Sequence, residues 1–121
     1  VVIGSLPAGT ASGAVAPKVI ALVDAATVVV DALLGNVFDL TLTAGGHTIA
    51  NPTSLKDGTT YLFRVKPATF TATWDTKFKG GLGLPIPPFS PGAADVDYFW
   101  FAYDAAADKL AFAGASQQAT A

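Results

Sequence analysis

"GNVFDLTLTAGGHTIANPTSLKDGTTYLFRV", residues 35–65, decides the fold class. Phe38, Leu40 and Leu42 alternate with Asp39, Thr41 and Thr43, the period-two pattern of a strand with one buried face. After Gly45-Gly46 comes a short strand, "HTIA", and then a corner at Asn51-Pro52, where the proline holds Asn51 extended and turns the chain. Asp57-Gly58 suits a tight reversal, because glycine accepts positive φ. Tyr61, Phe63 and Val65 then alternate with Thr60, Arg64 and Lys66, with Leu62 breaking the pattern. The same stretch holds the chain's only histidine, His47, and its only arginine, Arg64. It is either a seat of chemistry or a piece of construction.

The pattern continues outward. Phe70, Ala72 and Trp74 alternate with threonines, "DVDYFWFAYD" is apolar on both faces from Tyr98 to Tyr103, and "KLAFAG" follows a turn at Asp104 to Asp108. Residues 19–34 are ambiguous. Val19, Leu22, Val23, Ala26, Val30 and Leu33 fit a helical stripe with Gly35 as its stop. The β-branched run "TVVVDA" favours two strands with a turn near Asp24 to Ala26. Six to nine short strands separated by turn signals predict an all-β chain, an antiparallel β-sandwich or jelly-roll-like single domain. Residues 18–113 form that domain. Residues 1–17, rich in Gly, Ala, Ser and Pro, are expected to be a flexible N-terminal arm or linker, and 114–121 a C-terminal tail. No internal repeat is apparent.

A chain of 121 residues suits one domain with its own core. Its charged fraction is 13%, against about 25% in typical domains, while 51% is apolar. A chain this apolar is expected to cover part of its surface by association. Absent cysteines exclude disulfides and thiolate chemistry. A net charge of −2 without a basic cluster argues against nucleic acid. The longest apolar stretch is interrupted by Asp24 and Asp31, so no bilayer span is expected, and the start reads poorly as a signal peptide.

No constellation favours catalysis. His47 has no serine in a G-x-S-x-G context to activate, and its default role is a turn or edge residue. Asp95 and Asp97 are spaced as a carboxylate pair could be, but they read as the polar start of a strand. Asp104 and Asp108 lack the dense acidic spacing of a calcium loop, and "GGLGLP" lacks the residues of a phosphate loop. No cofactor or metal is expected. Trp74 and Trp100, with Tyr98 and Tyr103, are candidates for a sugar-binding platform, although aromatics at alternate strand positions more often form core. Between strands, residues 79–92 are too rich in Pro and Gly for regular structure, yet carry Leu82, Leu84, Ile86 and Phe89. Either these fold back as a lid, or they dock on another subunit. Phe99, Phe101 and Tyr103 form a second apolar face that could serve as the interface instead.

Taken together, "TVVVDALLGNVFDLTLTAGGHTIANPTSLKDGTTYLFRV", "TATWDTKFKGG" and "PGAADVDYFWFAYD" resemble a β-sandwich module of tailed-bacteriophage virion proteins. That pattern has a Gly-Asn-Val-Phe turn, a "TIANP" corner, an L-x-D-G-x-x-Y turn, a W-x-x-x-F turn and an Ala-x-Asp-Val lead into a late aromatic strand. It spans about residues 27–104. This chain departs from it at "VKPATFTATW", where the family has a longer Gly-containing hairpin, and in its proline-rich loop. The module occurs in small head decoration or cement proteins and in tail-fibre and tail-tip proteins. The resemblance implies a non-enzymatic capsid decoration protein on the surface of the phage particle. It would act as a homo-oligomer, with a trimer expected, and bind the major capsid protein or other virion proteins. The alternative is a tail-fibre or tail-tip module recognising host glycans.

Overall fold

The computed structural model of the chain describes residues 18–80, 85–90 and 95–120, with 118–120 as backbone only. The strands in chain order are β1 (Val19–Ala21), β2 (Thr27–Val28), β3 (Val37–Thr41), β4 (His47–Ile49), β5 (Thr60–Lys66), β6 (Ala72–Trp74), β7 (Phe78–Lys79), β8 (Asp95–Asp104) and β9 (Lys109–Thr120). The described residues contain no helix, and the chain is all-β.

A six-stranded sheet runs β1-β3-β5-β8-β9-β7, and a three-stranded sheet runs β2-β4-β6. Up to β6 the chain alternates between them. Each strand pairs in parallel with the strand two places on, Val19 with Val37 and Val37 with Leu62 in one sheet, Thr27 with Thr48 and Thr48 with Thr73 in the other. Residues 19–74 are therefore a stack of three coils, each giving one strand to each sheet. An isolated parallel bridge between Asp31 and Thr53 adds a third contact between the first two coils. Among the described residues, the expected antiparallel pairing occurs only where β5, β8 and β9 meet. Alternation fixes which face a residue occupies but not which strand lies beside it, so the parallel order left no trace in the period-two pattern.

Residues 19–34 form strands as the β-branched run favoured, with a bend at Ala25-Ala26, but β1 and β2 lie in different sheets and make no hairpin. The expected tail is strand as well. β9 continues to Thr120, pairing Ser116 with Tyr98 and Thr120 with Asp95. Its small and polar side chains gave no apolar signal because the backbone ladder holds it. Gly35 marks the close of the first coil. A Cβ there would lie 2.6 Å from the Lys18 carbonyl oxygen, so only glycine lets the chain pass under the start of β1.

The core lies between the sheets. Phe38, Leu40, Phe63, Val65, Phe99 and Phe101 face inward from the larger sheet, and Val28 and Ile49 from the smaller, all at 0–1% exposure. Trp74 of β6 crosses the gap, its ring 5.6 Å from Phe63, 5.2 Å from Phe99 and 5.0 Å from Phe101. Such ring pairs contribute about 0.5–1.5 kcal/mol beyond area burial.

Candidate functional site

The polar residues singled out by sequence sit where one coil meets the next. His47, at the start of β4, places Nδ1 2.7 Å from Asp24 Oδ1 of the first coil. An ionised carboxylate only accepts, so this nitrogen carries the proton. Thr43 donates from its backbone N–H (2.7 Å) and its hydroxyl (2.6 Å) to the other Asp24 oxygen. Burial raises the Asp24 pKa, but the bonds from Thr43 and His47 outweigh it and hold the carboxyl below its ordinary value. No serine is bonded to this pair among the described residues.

Arg64 on β5 reaches back to Asp39 on β3 through two parallel bonds, Nε to Oδ1 at 2.5 Å and Nη2 to Oδ2 at 2.7 Å. Asn51 ties the second coil to the third. Its side-chain oxygen accepts from the Lys77 N–H at 2.7 Å, and its Nδ2 donates to Thr76 Oγ1 at 3.0 Å. The L-x-D-G-x-x-Y turn docks on the far hairpin. Asp57 accepts from the Ala105 N–H, Gly58 sits at φ +77° and donates to the Tyr103 carbonyl, and the Tyr61 hydroxyl accepts from the Lys56 N–H.

Three of the four carboxylates considered for chemistry, Asp97, Asp104 and Asp108, are engaged. Asp97 is fully buried and accepts from the Ser90 N–H at 2.7 Å and the Ser90 hydroxyl at 2.5 Å, which fastens the 85–90 segment to β8. Asp104 caps its own turn through the Ala106 and Ala107 N–H groups. Asp108 accepts from the Tyr103 hydroxyl at 2.6 Å and pairs with Lys77 at 3.0 Å. The bond to Asp108 is the main cause that pushes the Tyr103 pKa up to about 12.

The residues expected at an interface divide into those outside the described residues and those packed on this chain's own core. Leu82 and Leu84 are outside the described residues. Ile86 and Phe89 fold back on this chain's own core, Phe89 stacking on Trp74 at 5.7 Å, so this part of the loop is a lid. Phe99 and Phe101 are both 0% exposed and face the three-stranded sheet. Tyr103 packs against the same core and spends its hydroxyl on Asp108. Strand parity turns all three inward, so they make no second outer face. Nor do Trp74 and Trp100 form one platform, since Trp74 lies between the sheets while Trp100 alternates with Phe99 and Phe101 and points outward.

What remains outside is the outer face of the larger sheet. One row across it runs Val19, Val37, Leu62, Trp100, and the next runs Ala21, Asp39, Arg64, Tyr98. Tyr98 and Trp100 lie side by side with rings 6.0 Å apart and 23° between planes. Beside Tyr98 is a shallow depression of about 310 Å³ lined by Asp39, Thr41, Arg64, Lys66 and Val96. The sequence placed the aromatic strand and put Tyr98 and Trp100 among the platform candidates, but it also put Phe99, Phe101 and Tyr103 on an outer face, and these point inward. Inward and outward positions on β8 are both aromatic, so hydropathy could not separate them. No protein-family model, curated protein or solved structure matches the chain.

Proposed function

We propose that this chain is a non-enzymatic structural protein of a tailed-bacteriophage virion. It would assemble as a homo-oligomer, a trimer by our reading, and decorate the outer head surface through the major capsid protein. The virion assignment rests on the resemblance of residues 27–104. What supports an assembly role is the outer face of the six-stranded sheet, where Tyr98, Trp100, Arg64 and Leu62 stand together. Tyr, Trp and Arg are the residues enriched at the energetic centres of protein interfaces. The double change Tyr98→Ser with Trp100→Ser is expected to shift sedimentation toward monomer while the Tm at low concentration stays nearly constant. Unchanged sedimentation would place the interface on another surface. Quantitative proteomics of purified particles tests the location, with high copy number supporting the head and a few copies the tail.

A second reading has its own support. The stacked Tyr98–Trp100 pair beside the Asp39–Arg64 fork offers a flat apolar surface next to paired donors and acceptors, which suits a sugar ring. On that reading the chain is a tail-fibre or tail-tip module for host glycans. Trp100→Ala would then abolish glycan binding and leave the oligomer intact.

A further inference from the structure

The depression beside Tyr98 is positively charged in an acidic chain. Its charged lining is Asp39, Arg64 and Lys66, two cations against one carboxylate, whereas the whole chain stands at −2. The carboxylate is already engaged, since Asp39 accepts both bonds of the Arg64 fork. Those bonds raise the Arg64 pKa above its ordinary value against the opposing effect of burial, and Tyr98 adds to the rise. Among the described residues, Lys66 makes no ion pair and no side-chain hydrogen bond, and the Arg64 Nη1 keeps both of its donors. These groups stand in line with the outward aromatics. Trp100 lies beside Leu62 and Tyr98 beside Arg64, and one alternation further along β5 is Lys66, beside Thr41. Alternate residues of a strand are about 7 Å apart, so Trp100, Tyr98 and Lys66 follow one another over about 14 Å.

We infer that this line is a binding site for an acidic saccharide, with the carboxylate of one sugar ring seated at Lys66 and Arg64 and the adjoining rings lying on Tyr98 and Trp100. The inference rests on the second reading above, in which the outer face binds glycans, and it names the class of glycan. At about 310 Å³ the depression takes one ring with its charge rather than a protein edge, since sites for small ligands begin at about 300 Å³. The Tyr98 and Trp100 rings, 23° apart in plane, offer a flat apolar strip to the C–H faces of sugar rings. A carboxylate accepts from a guanidinium and an ammonium together, and such charge-assisted bonds are shorter and stronger than those of a neutral hydroxyl. A neutral sugar gains little from Lys66. Affinity therefore comes from the aromatic pair, and the choice of an acid comes from Lys66.

NMR titration of the isotope-labelled full chain at pH 7 tests this with two probes, trigalacturonate and sialyllactose, each beside its methyl ester. The ester keeps the rings and removes the charge. At least one acid should bind, with shifts centred on Tyr98, Trp100 and Lys66, and its ester should bind about five- to tenfold more weakly. Added salt should weaken the acid and leave the ester unchanged. Lys66→Gln should bring the acid down to the ester's affinity without altering the ester, and Trp100→Ala should abolish both. Lys56→Gln, which removes the same charge from a different surface, should bind as the wild type does. An ester that binds as tightly as its acid overturns the inference and leaves the glycan reading standing. Binding of neither form overturns both. A tri-aspartate peptide that binds as tightly as the better acid also overturns the inference, and assigns the charge to an acidic protein partner.

Discussion

The coils and the β8–β9 hairpin are two solutions to the same problem of holding strands together. β8 and β9 run ten and twelve residues and are joined by one short turn, so a long antiparallel ladder fixes them directly. The strands of the coils run from two to seven residues, and each partner is about twenty residues distant in sequence. Short parallel ladders supply few bonds and need long crossovers. The coils compensate with side-chain ties from one coil to the next: Asp24 to His47 and Thr43, Asp39 to Arg64, Asn51 to Thr76 and Lys77. The sole histidine and the sole arginine of the chain are both used this way. Where a long ladder sets register, the backbone does most of the holding. Where it does not, polar side chains become construction.

The largest expected loss comes where the two regions share one core. Phe63 is fully buried, with ring centroids 5.1 Å from Phe38 in the coils and 5.9 Å from Phe101 in the hairpin. Phe63→Ala should cost about 3–5 kcal/mol by urea unfolding. A transition that splits in two, with the hairpin surviving the coils, would show that the core does not couple them.

The comparison sharpens at the ties themselves. Asn51→Ala removes both side-chain bonds and leaves the Lys77 N–H without its acceptor, at a cost of about 1–3 kcal/mol. Tyr103→Phe removes the corresponding side-chain bond of the hairpin turn, which is exposed and backed by the ladder. Its effect on the urea midpoint should be clearly the smaller of the two. Equal effects would mean that coil corners depend on their side chains no more than the hairpin does.

How much of this was legible follows from what each signal encodes. Alternation at Phe38–Leu42 and Tyr61–Val65 found the strands and their inward faces, because burial is a property of single positions. Gly58 was legible as a positive-φ turn, since no other residue accepts that backbone at so little cost. Strand order was not, because pairing is a relation between distant segments, and the coils differ in length (Val19 to Val37, then Val37 to Leu62), which hides the repeat. The candidate site was half legible. Tyr98 to Tyr103 was recognised as an aromatic strand, but with apolar side chains on both sides the register had to come from its neighbours, Phe63 opposite Phe99 and Leu62 opposite Trp100.

Acid should reach the coils through Asp24. Its carboxyl titrates below its ordinary value in the folded chain, so the unfolded state takes up the proton first. The stabilisation is therefore present above the unfolded pKa of about 3.9 and lost as pH falls through the lower folded value. Thermal unfolding followed from pH 6 to pH 2.5 should show a steeper loss for the wild type than for Asp24→Asn. Parallel curves would mean that the tie to Thr43 and His47 is as strong with a neutral carboxyl.

The smallest effect is expected to be a gain, at the corner between β5 and β6. Ala68 and Thr69 both adopt positive φ, +52° and +73°, at the tip of "KPATF". A β-branched residue is poorly suited to that region, because its side chain crowds the backbone on either side. Holding a non-glycine residue there costs about 1–3 kcal/mol. Thr69→Gly removes that strain, while the greater freedom of glycine in the unfolded chain takes back about 0.4–1 kcal/mol. Thr69 is exposed, and no side-chain hydrogen bond is seen for it, so nothing else is given up. The net expectation is a stabilisation of about 1 kcal/mol, read as a higher urea midpoint at unchanged slope. A neutral or destabilising result would mean that the coil relaxes at this corner, and that short parallel strands leave slack which the long hairpin does not.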